Sequence, residues 1–103
     1  MPPYELTLAA EADLRDIARY TLTQWGRAQS LRYAALLEER FCSIAARTVH
    51  FRSFSEHYPQ VLVARCEHHY VFYIHPEGKP PRIVAVLHEK MDLVAWMAGR
   101  LGL

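Results

Sequence analysis

The apolar residues of this chain change their spacing once, and that change limits what it can fold into. Between Leu14 and Arg47 they recur at helical intervals, whereas between Val61 and His88 they gather in short β-rich runs. Counting from Leu14, the offsets 0, 3, 4, 7, 8 and 11 hold Leu14, Ile17, Ala18, Thr21, Leu22 and Trp25, with Asp13, Arg15, Asp16, Arg19 and Gln24 on the other face. Gly26 stands where a residue of left-handed backbone ends a helix, and a second helical pattern starts almost at once, so two antiparallel helices are expected. The second helix, about Ala28 to Arg47, carries Tyr33, Ala34, Leu36, Leu37, Phe41, Ile44 and Ala45. That is more apolar surface than one buried stripe uses.

The β-rich runs are VLVAR (61–65), HYVFYIH (69–75) and RIVAVLH (82–88). Cys66-Glu67-His68 separates the first two at hairpin spacing, and the Pro- and Gly-containing stretch 76–81 separates the second from the third, which predicts a meander. Ahead of the helices, Tyr4, Leu6 and Leu8 alternate with Glu5 and Thr7 and predict an opening strand. Residues 48–59 show no sustained period and read as a loop anchored by Phe51 and Phe54. Asp92 is placed to cap a last helix running to Leu101, whose Leu93, Val94, Trp96, Met97 and Leu101 point in nearly all directions, with Arg100 at its exposed end. The expected fold is therefore α+β in a single domain over residues 1–103: an N-terminal strand, a helical hairpin, a three-stranded antiparallel meander and a short C-terminal helix.

Twelve Lys and Arg against eleven Asp and Glu give a net charge of +1, and the halves are each nearly neutral, 6 against 6 in residues 1–50 and 6 against 5 afterwards. A protein living on nucleic-acid phosphates carries a clustered cationic excess, so this balance argues against a polyanion binder. Cys42 and Cys66 lie 24 apart, with Cys42 on an apolar helical stripe where a free thiol packs like a small hydrophobe, and a reducing compartment fits. The start MPPYELTLAAEADLRD has no basic, then apolar, pattern, so a cytoplasmic protein is expected. His68 and His69 beside Cys66 raise zinc, but no ligand pair has structural-site spacing, and surface histidines are the simpler expectation. No cofactor is implied. For ribonucleolytic chemistry His88, Arg65, Arg82 and Tyr73 are the available residue types; packed strand positions and hairpin-edge charges account for all four.

Particular residues go further than element order. Ala12-Asp13-Leu14 and Ile17, Tyr20, Trp25-Gly26, Tyr33 and Leu37, Arg65, His69-Tyr70-Val71-Phe72-Tyr73, and Val86-Leu87-His88-Glu89-Lys90-Met91-Asp92 together resemble the RelE/ParE toxin superfamily, in its ParE branch. The last block is the most specific, and the resemblance covers most of the chain. One departure is Ala85, where members often carry a basic residue. The resemblance implies a toxin of a type II toxin–antitoxin system that is not an enzyme, binds DNA gyrase and is neutralised by a ParD-like antitoxin in a hetero-oligomer. It implies neither membrane association nor sequence-specific nucleic-acid binding. The alternative within the superfamily is a RelE-like ribosome-dependent mRNA endoribonuclease, which needs cationic groups that Ala85 does not supply. Antitoxin contact, in a groove for an apolar helix, is expected at Tyr20, Trp25, Tyr33, Leu36, Leu37 and Arg40. Target contact is expected at Arg65, His88, Met91, Trp96 and Met97.

Overall fold

The computed structural model describes residues 3–101. Its elements are β1 (Glu5–Leu6), α1 (Leu8–Trp25), α2 (Arg27–Ala45), β2 (Arg52–Ser55), β3 (Tyr58–Cys66), β4 (His69–Ile74), β5 (Arg82–His88) and α3 (Leu93–Arg100). The strands form one sheet in the order β1-β5-β4-β3-β2, antiparallel except for the parallel pair β1 and β5. The α+β class and the order of elements are those expected from the sequence.

Helix boundaries follow the local chemistry. Thr7 is extended and its hydroxyl accepts from the Ala10 N–H, so α1 begins at Leu8, well before the amphipathic period starts, and the opening strand is cut to two residues. Gly26 has φ +85 and its N–H reaches the Leu22 carbonyl, which ends α1 and lets α2 start at the next residue. Asp92 caps α3 by accepting from the Ala95 N–H.

The segment 48–59 is not a loop throughout. Arg52–Ser55 adds β2 to the sheet, and Tyr58-Pro59-Gln60 begins β3, so four antiparallel strands replace the expected three. Of the two expected anchors, Phe54 packs edge-on against Phe72 with ring centres 5.2 Å apart, while Phe51 stands exposed. The β3–β4 hairpin turns on Glu67 at φ 52 and His68.

The sheet separates two cores. On one face α1 and α2 cover Ala64, Cys66, Val71, Tyr73, Ile83 and Val86 with Tyr33, Leu37, Phe41 and Ile44. On the other, Val61, Val63, Phe72, Ala85 and Leu87 are closed over Met97 of α3. Ala85 is fully buried there, so this chain spends on packing a position where a basic side chain would face apolar neighbours. Cys42, expected to pack on an apolar helical stripe, is exposed, whereas the Cys66 thiol is buried.

The candidate partner-binding cleft

Two side-chain constellations sit at the β5 side of the sheet. The first closes the ends of the chain on each other. Asp13 of α1 accepts from the Val86 N–H at 2.9 Å and takes a two-pronged pair with Arg100 of α3 at 2.6 and 3.1 Å, and Arg100 also approaches the Val84 carbonyl. Both side chains are largely buried. The expectation of a free Arg100 at the helix end is thus corrected: the arginine is drawn inward because Asp13 needs a cation once β5 and α1 have taken it out of water. The helical period places Asp13 on the polar face of α1, and no periodicity marks a partner 87 residues away.

The second constellation lies at the other end of β5. The Tyr33 hydroxyl accepts from the His68 N–H and shares a hydrogen bond with His69 Nδ1. His69 is buried, contrary to the surface histidine expected, and burial, with His88 and His68 adding to it, pushes its imidazole down to about 4. Burial likewise lifts the Tyr33 phenol to about 12. Glu89 accepts from His68 at 2.8 Å and from Arg65 at 2.6 Å, which holds its carboxyl below the usual range, and Arg65 donates also to the Tyr70 hydroxyl.

This arrangement makes the fold acid-sensitive. The unfolded chain protonates His69 near 6.5 and the folded chain only near 4. Its contribution is therefore complete above pH 6.5 and is lost as pH falls from there toward 4. Unfolding by urea at pH 7.5 and 4.5 is expected to differ by about 2–3 kcal/mol. His69→Gln should flatten most of that slope.

Between these constellations α1, the edge of β5 and α3 enclose a cleft of about 740 Å³. It brings together Tyr20 and Trp25 from the expected antitoxin set with His88, Met91 and Trp96 from the expected target set. Tyr20, Trp25 and Trp96 are 59, 48 and 50% exposed, so each has half its surface free for contact. Tyr20 and Trp25 meet edge-on, and Trp25 does the same with Tyr33, a file of rings running from the hairpin tip to His69.

The other expected residues are elsewhere. Leu37 and Met97 are core side chains of the two clusters and offer no contact surface, and Tyr33 is buried beneath Trp25. Leu36 and Arg40 are both half-buried on α2, and the Leu36 carbonyl accepts from the Cys66 thiol. Arg65 is exposed at the hairpin end, tied to Glu89. Of the four residues weighed for catalysis, Arg65 and His88 reach the same end of the sheet. Tyr73 is buried, and Arg82 pairs with Glu5 at the opposite end of β5, about 20 Å away along the strand. Among the described residues no group of three His, Cys, Asp or Glu side chains is arranged to hold a metal ion, and no helix is long and apolar enough to cross a membrane.

A family model described as the ParE toxin of the type II toxin–antitoxin system parDE matches residues 4–93. The chain belongs to the ParE toxin family. Within it, the chain is 50% identical over 101 residues to a Toxin ParE of Escherichia coli, covering 98% of both chains. The fold also matches a solved structure titled "Chromosomal ParDE TA system from P. aeruginosa", with a TM-score of 0.70 at 21% identity over 82% of this chain and 92% of that one. The ParE fold described above is thus shared at low sequence identity.

Proposed function

We propose that this ParE-family chain acts by binding and not by catalysis: it inhibits DNA gyrase and is neutralised by a ParD-like antitoxin in a hetero-oligomeric complex in the cytoplasm. The observation that carries this reading is the open aromatic cleft. Half-exposed Trp25, Trp96 and Tyr20 around one concavity are the residue types that dominate protein–protein contact energies, and a patch of this kind marks an interface. The polar groups nearby are engaged with each other: Glu89 takes up Arg65 and His68, and Tyr33 takes up His69. A ribonuclease of the RelE kind needs a base, a cation and an acid on one phosphate, and the separation of Tyr73 and Arg82 from Arg65 and His88 speaks against that assignment.

On this reading Tyr20 and Trp25, backed by Tyr33, form the antitoxin side, with Leu36 and Arg40 at its margin. Met91, Trp96, His88 and Arg65 form the target side. The test is gyrase supercoiling in the presence of the purified chain. Wild type is expected to inhibit, and Trp96→Ala to lose about tenfold or more in potency, because truncating an aromatic anchor costs upwards of 1.4 kcal/mol of contact energy. Its melting temperature should stay near wild type, since half of Trp96 is already in water. Folded wild type that leaves supercoiling untouched would overturn the gyrase assignment. Site-specific RNA cleavage abolished by His88→Ala would move the chain to the enzyme reading.

A further inference from the structure

The floor of the cleft is not a sheet face but the edge of a strand. β1 ends at Leu6, so it pairs only with Arg82 and Ile83, and the rest of β5 has no strand on its outer side. A bulge at Val84 shifts the register, with Phe72 opposite Ala85 and Tyr73 opposite Ile83. Beyond it the Val86 N–H points outward, to Asp13. In an extended strand the N–H and C=O of one residue leave on the same side and every second residue repeats the direction. The Val86 carbonyl and the His88 N–H therefore face the cleft too.

The neighbouring edge groups are satisfied. The Val84 carbonyl takes Thr7 and Arg100, the Val86 N–H takes Asp13, and the His88 carbonyl closes the turn with the Met91 N–H. Among the described residues the Val86 carbonyl and the His88 N–H have no such partner. An outward acceptor followed two residues later by an outward donor is the pair that a single residue of a parallel strand satisfies, with its N–H to Val86 and its C=O to His88. β1 already lies parallel to β5, so such a strand would continue its line.

We propose that the cleft takes an extended segment of the antitoxin, which adds to the sheet in parallel beside Val86–His88. The inference rests on the toxin–antitoxin reading above and specifies how the partner lies. Successive side chains of an extended segment point to opposite sides, which sends one set against Tyr20 and Trp25 on the α1 wall and the other against Met91 and Trp96 on the α3 wall, so that the antitoxin also covers the target side. Apolar or aromatic residues at alternate positions fit both walls. Lys90 stands exposed on the cleft with no carboxylate paired to it among the described residues, so an acidic residue beside the apolar ones completes the match. A helix keeps its backbone bonds to itself and would leave both edge groups unpaired. A second copy of this chain cannot bring its own β5 edge close, because α1 and α3 flank that edge as well.

Two substitutions at one position separate backbone from side chain. His88→Ala removes the imidazole and keeps the N–H; His88→Pro removes both, and because this N–H faces away from β4, no bond of the β4–β5 ladder is lost with it. Titrated with a full-length ParD-like antitoxin, His88→Pro is expected to bind about tenfold or more weaker than His88→Ala. In the wild-type chain, whatever the fate of the proline variant, the His88 amide should exchange freely alone and become protected in the complex. An unprotected His88 amide in a tight complex would overturn the strand pairing and leave a helical occupant. Protection that appears without antitoxin as the toxin is concentrated would overturn it in favour of self-association. Failure of the wild-type chain to bind any ParD-like antitoxin would overturn the antitoxin reading itself.

Discussion

Asp13→Ala is expected to destabilise the fold by about 3–5 kcal/mol, the cost typical of removing one partner of a buried ion pair and leaving the other charge uncompensated. Chains of this size are held by roughly 5–15 kcal/mol in total, so the variant should sit close to its unfolding threshold at room temperature. Three losses coincide: Arg100 keeps its charge in a largely buried position, the Val86 N–H loses its acceptor on an edge with no neighbouring strand, and α3 loses its link to α1. Asp13→Asn should be milder, because an amide oxygen still accepts from Val86. A double-mutant cycle with Arg100→Ala should show strong coupling, the double variant being less destabilised than the sum of the singles. Urea unfolding reads all four proteins. Additive losses would show that the pair is not the source of the effect.

Met97→Ala should cost about 2–5 kcal/mol, as for other methionines truncated in a closed core. Met97 is the side chain of α3 that is buried completely, wedged against Val61, Val63, Phe72, Ala85 and Leu87. Its removal takes the one fully buried anchor from an eight-residue helix too short to hold its form alone. Exchange of the amides of α3 should therefore rise well above that of the sheet. Trp96, the adjacent residue, is expected to behave in the opposite way, with large losses in partner binding and small ones in stability. If Met97→Ala left unfolding unchanged, α3 would not be a structural cover for that face.

How far the sequence went depended on whether a signal was periodic or positional. The helical hairpin was legible because α1 and α2 repeat their apolar residues at helical spacing and Gly26 interrupts them at one residue with φ +85. The start of α1 was not, since Leu8 to Ala12 is mostly alanine and its cap, Thr7, reads equally well as part of an alternating strand. β2 escaped notice because its four residues are half exposed and lie next to Pro59, which ordinarily argues against a strand. In the cleft, Trp96 could be named from the excess apolar surface of its helix, and Tyr20 and Trp25 from the family resemblance, but Leu37 and Met97 could not be told from them. A helix hydrophobic on several sides does not show which side the body covers. The burial of Asp13, Arg100 and His69 was not legible, since their partners are distant in the chain and neither charge nor ring type predicts burial.

The clasp between Asp13 and Arg100, together with the pairing of Glu5 with Arg82, ties β1 and α1 to β5 and α3 across most of the chain. Contacts of such long sequence separation form late and slowly, because the intervening loop must close before they stabilise anything. During synthesis α1 and the hairpin therefore exist without their floor, and the cleft has no edge and no α3 wall. Competence to bind a partner through it is expected only once β5 and α3 have closed on α1.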